Sequence, residues 1–161
     1  MKPWLESPLV ITRAALDAVE AHARQCHPDE ACGLMTGPAD DPGRVTATIP
    51  FENLANRYHK LDPVEYPRDA RRAYRMNDKK RQDTFDKAER EGAPVKVLYH
   101  SHCDVGSYFS DEDKTQALAE GTLLGLVAWL VTSVRAGGVV DDHKVFVYRG
   151  DQWVEAAFTI E

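Results

Sequence analysis

Hydrophobic and polar positions follow two different periods in the first third of the chain. The apolar, β-branched run at 9–12 predicts a short strand. Apolar residues then recur at helical spacing through 13–26, which predicts a helix with Thr12 as its N-cap. Two more strand-like runs, 30–37 and 44–51, are separated by a turn rich in glycine and proline. We expect these two runs to pair.

The middle of the chain is polar. Residues 52–63 lack a clear period and are expected to form a loop. Residues 68–92 contain many helix formers and helix-spaced charges but few apolar side chains. This stretch therefore predicts a helix that lies on the surface.

The last part of the chain returns to strand patterns. A β-rich run at 95–102 predicts a buried strand, and 110–121 opens with a helix-capping pattern. The apolar run at 124–134 predicts another strand, and 143–150 and 152–160 flank a Gly-Asp turn as a hairpin. Strands and helices intermix without a repeat, which predicts an α/β or α+β sandwich with a mixed β-sheet flanked by helices.

Length and composition indicate one folded domain over residues 1–161, because 43% of the residues are hydrophobic and 29% are charged. The longest apolar stretch is shorter than the ~20 residues that span a bilayer, so no membrane association is expected. Glu6 and Pro8 interrupt the segment where a signal peptide would be apolar. Three cysteines without CxxC spacing favour reduced thiols. Together these features predict a cytoplasmic protein.

The charge distribution is uneven. A net charge of −6 argues against general nucleic-acid binding. Residues 57–90 nevertheless contain eleven Lys or Arg residues against seven Asp or Glu residues, so this segment is locally basic. Two interpretations of its basic part, residues 68–81, remain open: a solvated helix face or a docking surface for an acidic partner.

The stretch YHSHCDVGSYFSDED, residues 99–113, contains the clearest candidate chemistry. His100 and His102 are two residues apart at the end of a strand, so both imidazoles point to the same face. Asp113 could add a third ligand of the kind that zinc accepts. Ser110 and Asp113 also form an N-cap pattern. The spacing alone is compatible with a metal site, with a helix cap, or with both together.

The pattern of His100, His102, Ser110 and Asp113 resembles the JAMM signature of MPN-type zinc metalloproteases. The family also has an acid upstream of a Gly–hydrophobic–hydrophobic–x–Gly run, and Glu30 takes that place in HPDEACGLMTG. The resemblance covers most of the chain and is strongest to small bacterial members. It implies a mixed sheet flanked by helices, related to the cytidine deaminase sandwich. The deaminase motifs themselves, H-x-E and P-C-x-x-C, are missing.

This resemblance implies a zinc metalloprotease with one Zn²⁺ per chain, held by His100, His102 and Asp113. Glu30 would act as general base and acid, and Ser110 would stabilise the oxyanion. The implied substrate is a ubiquitin-like or sulfur-carrier protein, cleaved after its C-terminal Gly-Gly. Two alternatives stay open: a non-catalytic MPN scaffold that binds ubiquitin-like partners, and a zinc hydrolase of a small-molecule amide.

The remaining cysteines and histidines are expected to have local roles. Cys32 lies two residues from Glu30 and is expected to pack in the core. Cys103 directly follows His102 and is expected to be an unligated thiol; an extra metal ligand and a redox switch are the alternatives. The other histidines lack motif spacing and are expected to lie on the surface or to be bonded locally. They are His22, His27, His59 and His143.

Overall fold

A computed structural model describes residues 2–161 of the chain and contains nine strands, four α-helices and two 3-10 helices. The strands are β1 Leu9–Ile11, β2 Cys32–Thr36, β3 Arg44–Val45, β4 Ala47–Phe51, β5 Val95–Cys103, β6 Ala128–Arg135, β7 Val139–Arg149, β8 Gln152–Ala156 and β9 Phe158–Ile160. The α-helices are α1 Arg13–Cys26, α2 Ala55–Leu61, α3 Asp78–Arg90 and α4 Asp111–Ala119, and the 3-10 helices are Pro3–Leu5 and Gly121–Leu123.

Six strands form one mixed sheet in the order β4-β2-β5-β6-β7-β8. The β5–β6 pair is parallel, and the other four pairs are antiparallel. A second sheet has the order β3-β1-β9 and is parallel throughout. This arrangement confirms the predicted mixed sheet with flanking helices.

Helix α1 covers one face of the large sheet. Its N-cap is Thr12, whose hydroxyl oxygen accepts a hydrogen bond from the backbone N–H of Ala15 at 3.2 Å, as predicted. The helical period places Leu16 and Val19 on one side, where they pack with Tyr99 of β5 in a buried cluster. This face is therefore a closed hydrophobic core.

Helices α3 and α4 lie on the opposite face. Ala88 of α3 and Ala117 of α4 pack with Leu98 of β5 and Trp129 of β6. Side chains alternate along a strand, so Leu98 points to the face opposite Tyr99, and His100 follows Leu98 on the same side. The second face therefore receives both the helices and the histidines.

Two polar segments differ from the sequence prediction. The predicted loop at 52–63 contains helix α2, whose first backbone N–H, on Ala55, donates to the Asn53 side chain at 2.9 Å. The predicted helix at 68–92 begins only at Asp78, where Asn77 is the N-cap. Helix α3 buries Ala88 alone, which confirms a surface helix for that part.

Residues 68–77 are irregular because side chains from elsewhere take up their backbone hydrogen bonds. Asn56 accepts from the N–H of Ala70 at 2.8 Å, and Gln116 donates to the carbonyl of Tyr74 at 2.9 Å. Asn53 bridges the same stretch, donating to the carbonyl of Ala73 and accepting from the N–H of Arg75. These groups therefore replace a helical ladder.

Two predicted strands are divided between the sheets. The run at 44–51 forms β3 in the small sheet and β4 in the large sheet, where β4 pairs with β2 as expected. The predicted hairpin is present as β7–β8, but the chain leaves it after Ala156, and β9 joins β1.

Within residues 2–161, no helix combines the length and the apolar character that a membrane span requires.

Candidate active site

The pairing of β2 with β5 places Glu30 beside the histidines, although seventy residues separate them in the chain. Cys32 of β2 is opposite His100 of β5 in the antiparallel register. One step further, the N–H of Ser101 donates to the carbonyl of Ala31, and the N–H of Ala31 donates to the Ser101 hydroxyl at 2.8 Å. Glu30, the residue before Ala31, therefore lies beside the end of β5, the strand that carries the histidines.

Helix α4 brings the aspartate to the same place. Ser110 is its N-cap, and its side chain accepts from the N–H of Asp113 at 3.0 Å. The Asp113 carboxylate in turn accepts from the N–H of Ser110 at 3.0 Å, which completes a capping box. The cap holds the first turn of α4 so that the Asp113 carboxylate faces β5. Asp113 is thus both the N3 residue of the capping box and the proposed ligand.

The side chains of His100, His102 and Asp113 converge and are buried. Each offers one ligand atom, and these three atoms lie within 4.8 Å of one another. Nε2 of His100 is 3.1 Å from Oδ1 of Asp113, and Nε2 of His102 is 3.1 Å from Oδ2. The structure therefore brings together the three residues that the sequence pattern singled out as ligands.

The hydrogen-bonding state of the histidines fits a bound cation. Nδ1 of His102 lies 2.9 Å from the carbonyl oxygen of Gly106, so Nδ1 donates a hydrogen bond there and Nε2 is the ring nitrogen that is left for a ligand. That Nε2 lies 3.1 Å from a carboxylate oxygen of Asp113, and a nitrogen and a carboxylate oxygen at this distance require a cation or a proton between them. Two imidazole nitrogens and one carboxylate oxygen are ligands that suit zinc.

His100 gives a second indication of the same kind. Among residues 2–161, its Nδ1 has no hydrogen-bond partner and its Nε2 faces only a carboxylate oxygen of Asp113, although the side chain is fully buried. A buried polar group without a partner is costly, and a metal ligand role resolves it. The ring of Tyr74 stacks on His100 with centroids 4.6 Å apart, which holds the imidazole orientation.

The Asp113 carboxylate is held in its charged form. Burial acts to raise its pKa, but the charges of His100 and His102 and their hydrogen bonds outweigh burial and keep the pKa below its usual range. A carboxylate that stays ionised is the form that binds a cation. The Asp113 carboxylate is thus already in the form that a metal ion would bind.

Glu30 is the buried acid of the site. Its side chain is 6% exposed, and its Oε1 has no hydrogen-bond partner within the described part of the chain. Burial raises the pKa of Glu30 well above the usual range, Asp113 raises it further, and Arg68 partly opposes them. A carboxyl group with a raised pKa is suited to both accepting and donating a proton.

These groups line a cleft of about 490 Å³. Glu30, Asp113 and Ser110 face it together with His102, whereas the buried His100 lies behind them. The cleft also contains residues that the sequence motif did not indicate: Arg68, Arg71, Arg72, Cys103, Asp104, Val105 and Tyr108, with Pro28 at its border. The locally basic composition was the one sequence signal for the arginines.

Cys32 packs in the core as expected, whereas Cys103 lies in the cleft. Cys32 is buried, and its thiol lies 3.9 Å from the carbonyl oxygen of Phe51. Cys103 lines the cleft, but its thiol is not one of the three converging ligand groups. Burial, with help from the charge of Glu30, raises the pKa of Cys103 to about 12. The thiol is therefore protonated and weakly nucleophilic at neutral pH.

The four other histidines are bonded locally, as predicted. His27 pairs with Asp104 at 3.0 Å, a contact that anchors the loop after His102. The remaining partners are Tyr99 for His22, the carbonyl of Tyr66 for His59, and Glu20 with Thr132 for His143. None of these histidines belongs to the three-residue cluster.

The fold and the site together define a JAB-type domain. The family model Prok-JAB, described as prokaryotic homologs of the JAB domain, matches residues 12–146, and the chain belongs to this family. The matched range contains Glu30 and all four residues of the His100–Asp113 pattern.

Curated relatives support this membership. The chain is 34% identical over 107 residues to proteins named CysO-cysteine peptidase from Mycobacterium bovis and Mycobacterium tuberculosis. The aligned part is 65% of this chain and 62% of the relative, so the chain matches less than two thirds of the relative's length.

Solved structures with the same fold include a protein from Desulfitobacterium hafniense, at a TM-score of 0.68 and 22% identity over 95% of this chain and 92% of that one. A protein from Salinibacter ruber has a TM-score of 0.62 and 23% identity with the same coverage. A JAB1/MPN domain protein from Archaeoglobus fulgidus has a TM-score of 0.52 and 16% identity, over 96% of this chain and 99% of that one. These likenesses confirm the fold.

Proposed function

We propose that this protein is a zinc-dependent peptidase that hydrolyses the peptide or isopeptide bond after the C-terminal Gly-Gly of a ubiquitin-like or sulfur-carrier protein. One observation carries the proposal: three buried ligand groups converge beside a buried glutamate whose carboxylate has an unpartnered oxygen. His100, His102 and Asp113 would hold the zinc ion, and Glu30 would transfer protons.

Amide hydrolysis needs an activated water, stabilisation of the carbonyl oxygen and a proton for the leaving amine. When held by His100, His102 and Asp113, zinc would supply a bound water with a pKa of ~7 and a positive charge for the carbonyl oxygen. The Glu30 carboxylate takes the proton from the attacking water at its free Oε1 and delivers it to the leaving nitrogen. The raised pKa of Glu30 makes its carboxylate a stronger base for the first of these two transfers.

Ser110 contributes to the site without being a nucleophile. Its oxygen accepts the N–H of Asp113, which uses a lone pair and leaves the hydroxyl proton free. Ser110 faces the cleft, so this proton can be donated to the carbonyl oxygen as negative charge develops there. One side chain thereby holds the helix start and stabilises the transition state.

The lining of the cleft supports an extended glycine-rich substrate. Val105 and Tyr108 lie in the loop after His102, are 43% and 52% exposed, and form its apolar wall. Two glycines have no side chains, so a Gly-Gly tail can pass close to the ligand groups. The name of the mycobacterial relatives, CysO-cysteine peptidase, supports a peptidase that acts on a carrier conjugate.

The proposal is tested by incubating zinc-loaded protein with purified sulfur-carrier conjugates, with and without a chelator. We expect release of the group attached after Gly-Gly, abolished by the chelator and restored by zinc. Binding of the carrier without cleavage would support a scaffold instead. Cleavage of small amides but not of conjugates would support a small-molecule hydrolase.

A further inference from the structure

Three arginines on the irregular segment face the candidate active site. Arg68, Arg71 and Arg72, here called the arginine cluster, line the same cleft as Glu30 and Asp113. Arg68 makes a half-exposed contact of 3.7 Å with Glu112. Within residues 2–161, Arg71 and Arg72 have no carboxylate within 4.0 Å. The cleft therefore contains positive charge that the fold itself does not neutralise.

The arginine cluster is fixed to the catalytic glutamate through the backbone. The N–H of Glu30 donates to the carbonyl of Ala70 at 2.7 Å. The turn around Ala70 is stabilised by Asn56, which accepts from the N–H of Ala70 at 2.8 Å, and by Asp69, which accepts from the N–H of Arg71 at 3.1 Å. The arginine side chains thus extend from a turn whose backbone is hydrogen-bonded to Glu30.

This attachment places the cluster on the side of the leaving group. In the proposed function Glu30 gives its proton to the leaving nitrogen, so the departing group lies next to Glu30 and the turn that contacts it. Water adds its oxygen to the carbonyl carbon, the C–N bond breaks, and the amine leaves with a proton. The positive charge then faces whatever is attached to that amine.

We propose that the arginine cluster binds the α-carboxylate of a single C-terminal amino acid as the leaving group. This inference rests on the proposed function and names the residues that would select a leaving group with a free α-carboxylate. A guanidinium forms two parallel hydrogen bonds with a carboxylate, and the α-carboxylate is two bonds from the scissile nitrogen. In an isopeptide the leaving amine belongs to a lysine side chain, and no carboxylate lies at that distance.

The test compares two short synthetic peptides that end in Gly-Gly-Ala, one with a free carboxylate and one with a C-terminal amide. Affinities are measured by calorimetry on the zinc-loaded Glu30→Gln variant, where binding needs no turnover. We expect the acid to bind about 10-fold to 100-fold more tightly than the amide. Cleavage of both peptides by the unsubstituted protein is followed in parallel.

Substitution of the cluster should remove this preference. In the Arg71→Gln/Arg72→Gln double variant on the same background, we expect the ratio of acid to amide affinity to fall to about 1–3. Arg75→Gln is the matched control, because Arg75 belongs to the same segment but lies over the ring of Tyr66, in a different cavity. The control should keep the full preference.

Failure of the inference and failure of the proposed function would give different results. Equal affinity for acid and amide, or a ratio that the double variant leaves unchanged, overturns the inference while cleavage can still proceed. Absence of cleavage of both the peptides and the carrier conjugates by zinc-loaded protein overturns the proposed function. A preference lost equally in Arg75→Gln also overturns the inference, since general charge would then explain it.

Discussion

Ser110→Ala separates the two tasks assigned to one hydroxyl group. The side chain accepts the N–H of Asp113 as the cap of α4 and faces the cleft with its proton. The substitution removes both hydrogen bonds but leaves the ligand groups of His100, His102 and Asp113 in the chain. The expected result is a small loss of stability together with a large loss of turnover.

The two losses differ in size. Removing a serine cap costs about 1 kcal/mol, which lowers Tm by roughly 2–4 °C in a chain of this size. Removing one donor to a developing oxyanion lowers kcat by about 10²–10³. A cap loss of about 1 kcal/mol would leave nearly all molecules folded at 25 °C. It therefore cannot explain a hundredfold fall in turnover.

The assay compares Ser110→Ala with Thr12→Ala by thermal unfolding, zinc analysis and cleavage of the same conjugate. Thr12 caps α1 through a similar hydrogen bond to Ala15 and lies outside the cleft. Thr12→Ala should therefore show a similar Tm shift with unchanged turnover. If Ser110→Ala retained the turnover of Thr12→Ala, the donor role of Ser110 would be wrong.

Three further predictions concern the ligands, the buried acid and the fold. His102→Ala and Asp113→Ala should each lose zinc and turnover, and full zinc occupancy in either variant would refute its ligand role. In the metal-free protein, the raised pKa of Glu30 means that its stabilising effect is present below its ordinary value of 4.5 and is lost as pH rises through the folded-state pKa. Glu30→Gln should therefore stabilise the metal-free protein at pH 7–8 in urea titrations, and a gain that persisted below pH 4 would contradict this. Lys96→Met should cost about 2–4 kcal/mol in urea unfolding, because the buried ammonium donates to the carbonyls of Pro38, Asp41 and Arg44, and a cost below about 0.5 kcal/mol would refute that role.

The parts of the fold that depend on local pattern could be predicted from the sequence. Helix α1 has a strong apolar period and a threonine cap, and β5 is a continuous run of β-formers. The candidate site could be predicted for a different reason. His100 and His102 share a strand face by period, and Ser110 with Asp113 is a capping pattern, so the motif encodes its own local geometry.

The structure of segment 68–77 could not be predicted in this way. Its composition favours a helix, but its backbone groups are bound by Asn53, Asn56 and Gln116, which come from distant parts of the chain. No local period records these partners, so propensity gave the wrong prediction. As a result, the arginines were assigned to a helix face, whereas Arg68, Arg71 and Arg72 line the cleft.

The division of the run at 152–160 between two sheets was not predicted, for a similar reason. The run at 152–160 is uniformly strand-like, yet β8 extends the large sheet and β9 pairs with β1. The β-propensity of Phe158 and Ile160 is the same in either sheet. Pairing partners are set by tertiary packing, and a single sequence does not encode them in its period.

The most direct measurement of the central claim is zinc content and turnover in the Glu30→Gln variant, determined on the same preparation after dialysis. Three other residues are proposed to hold the metal and Glu30 to move the proton, so we expect about one zinc per chain with no turnover. Loss of zinc together with activity would make Glu30 a ligand, and retained turnover would remove it from catalysis. Either result would contradict the division of roles between Glu30 and the His100, His102 and Asp113 cluster.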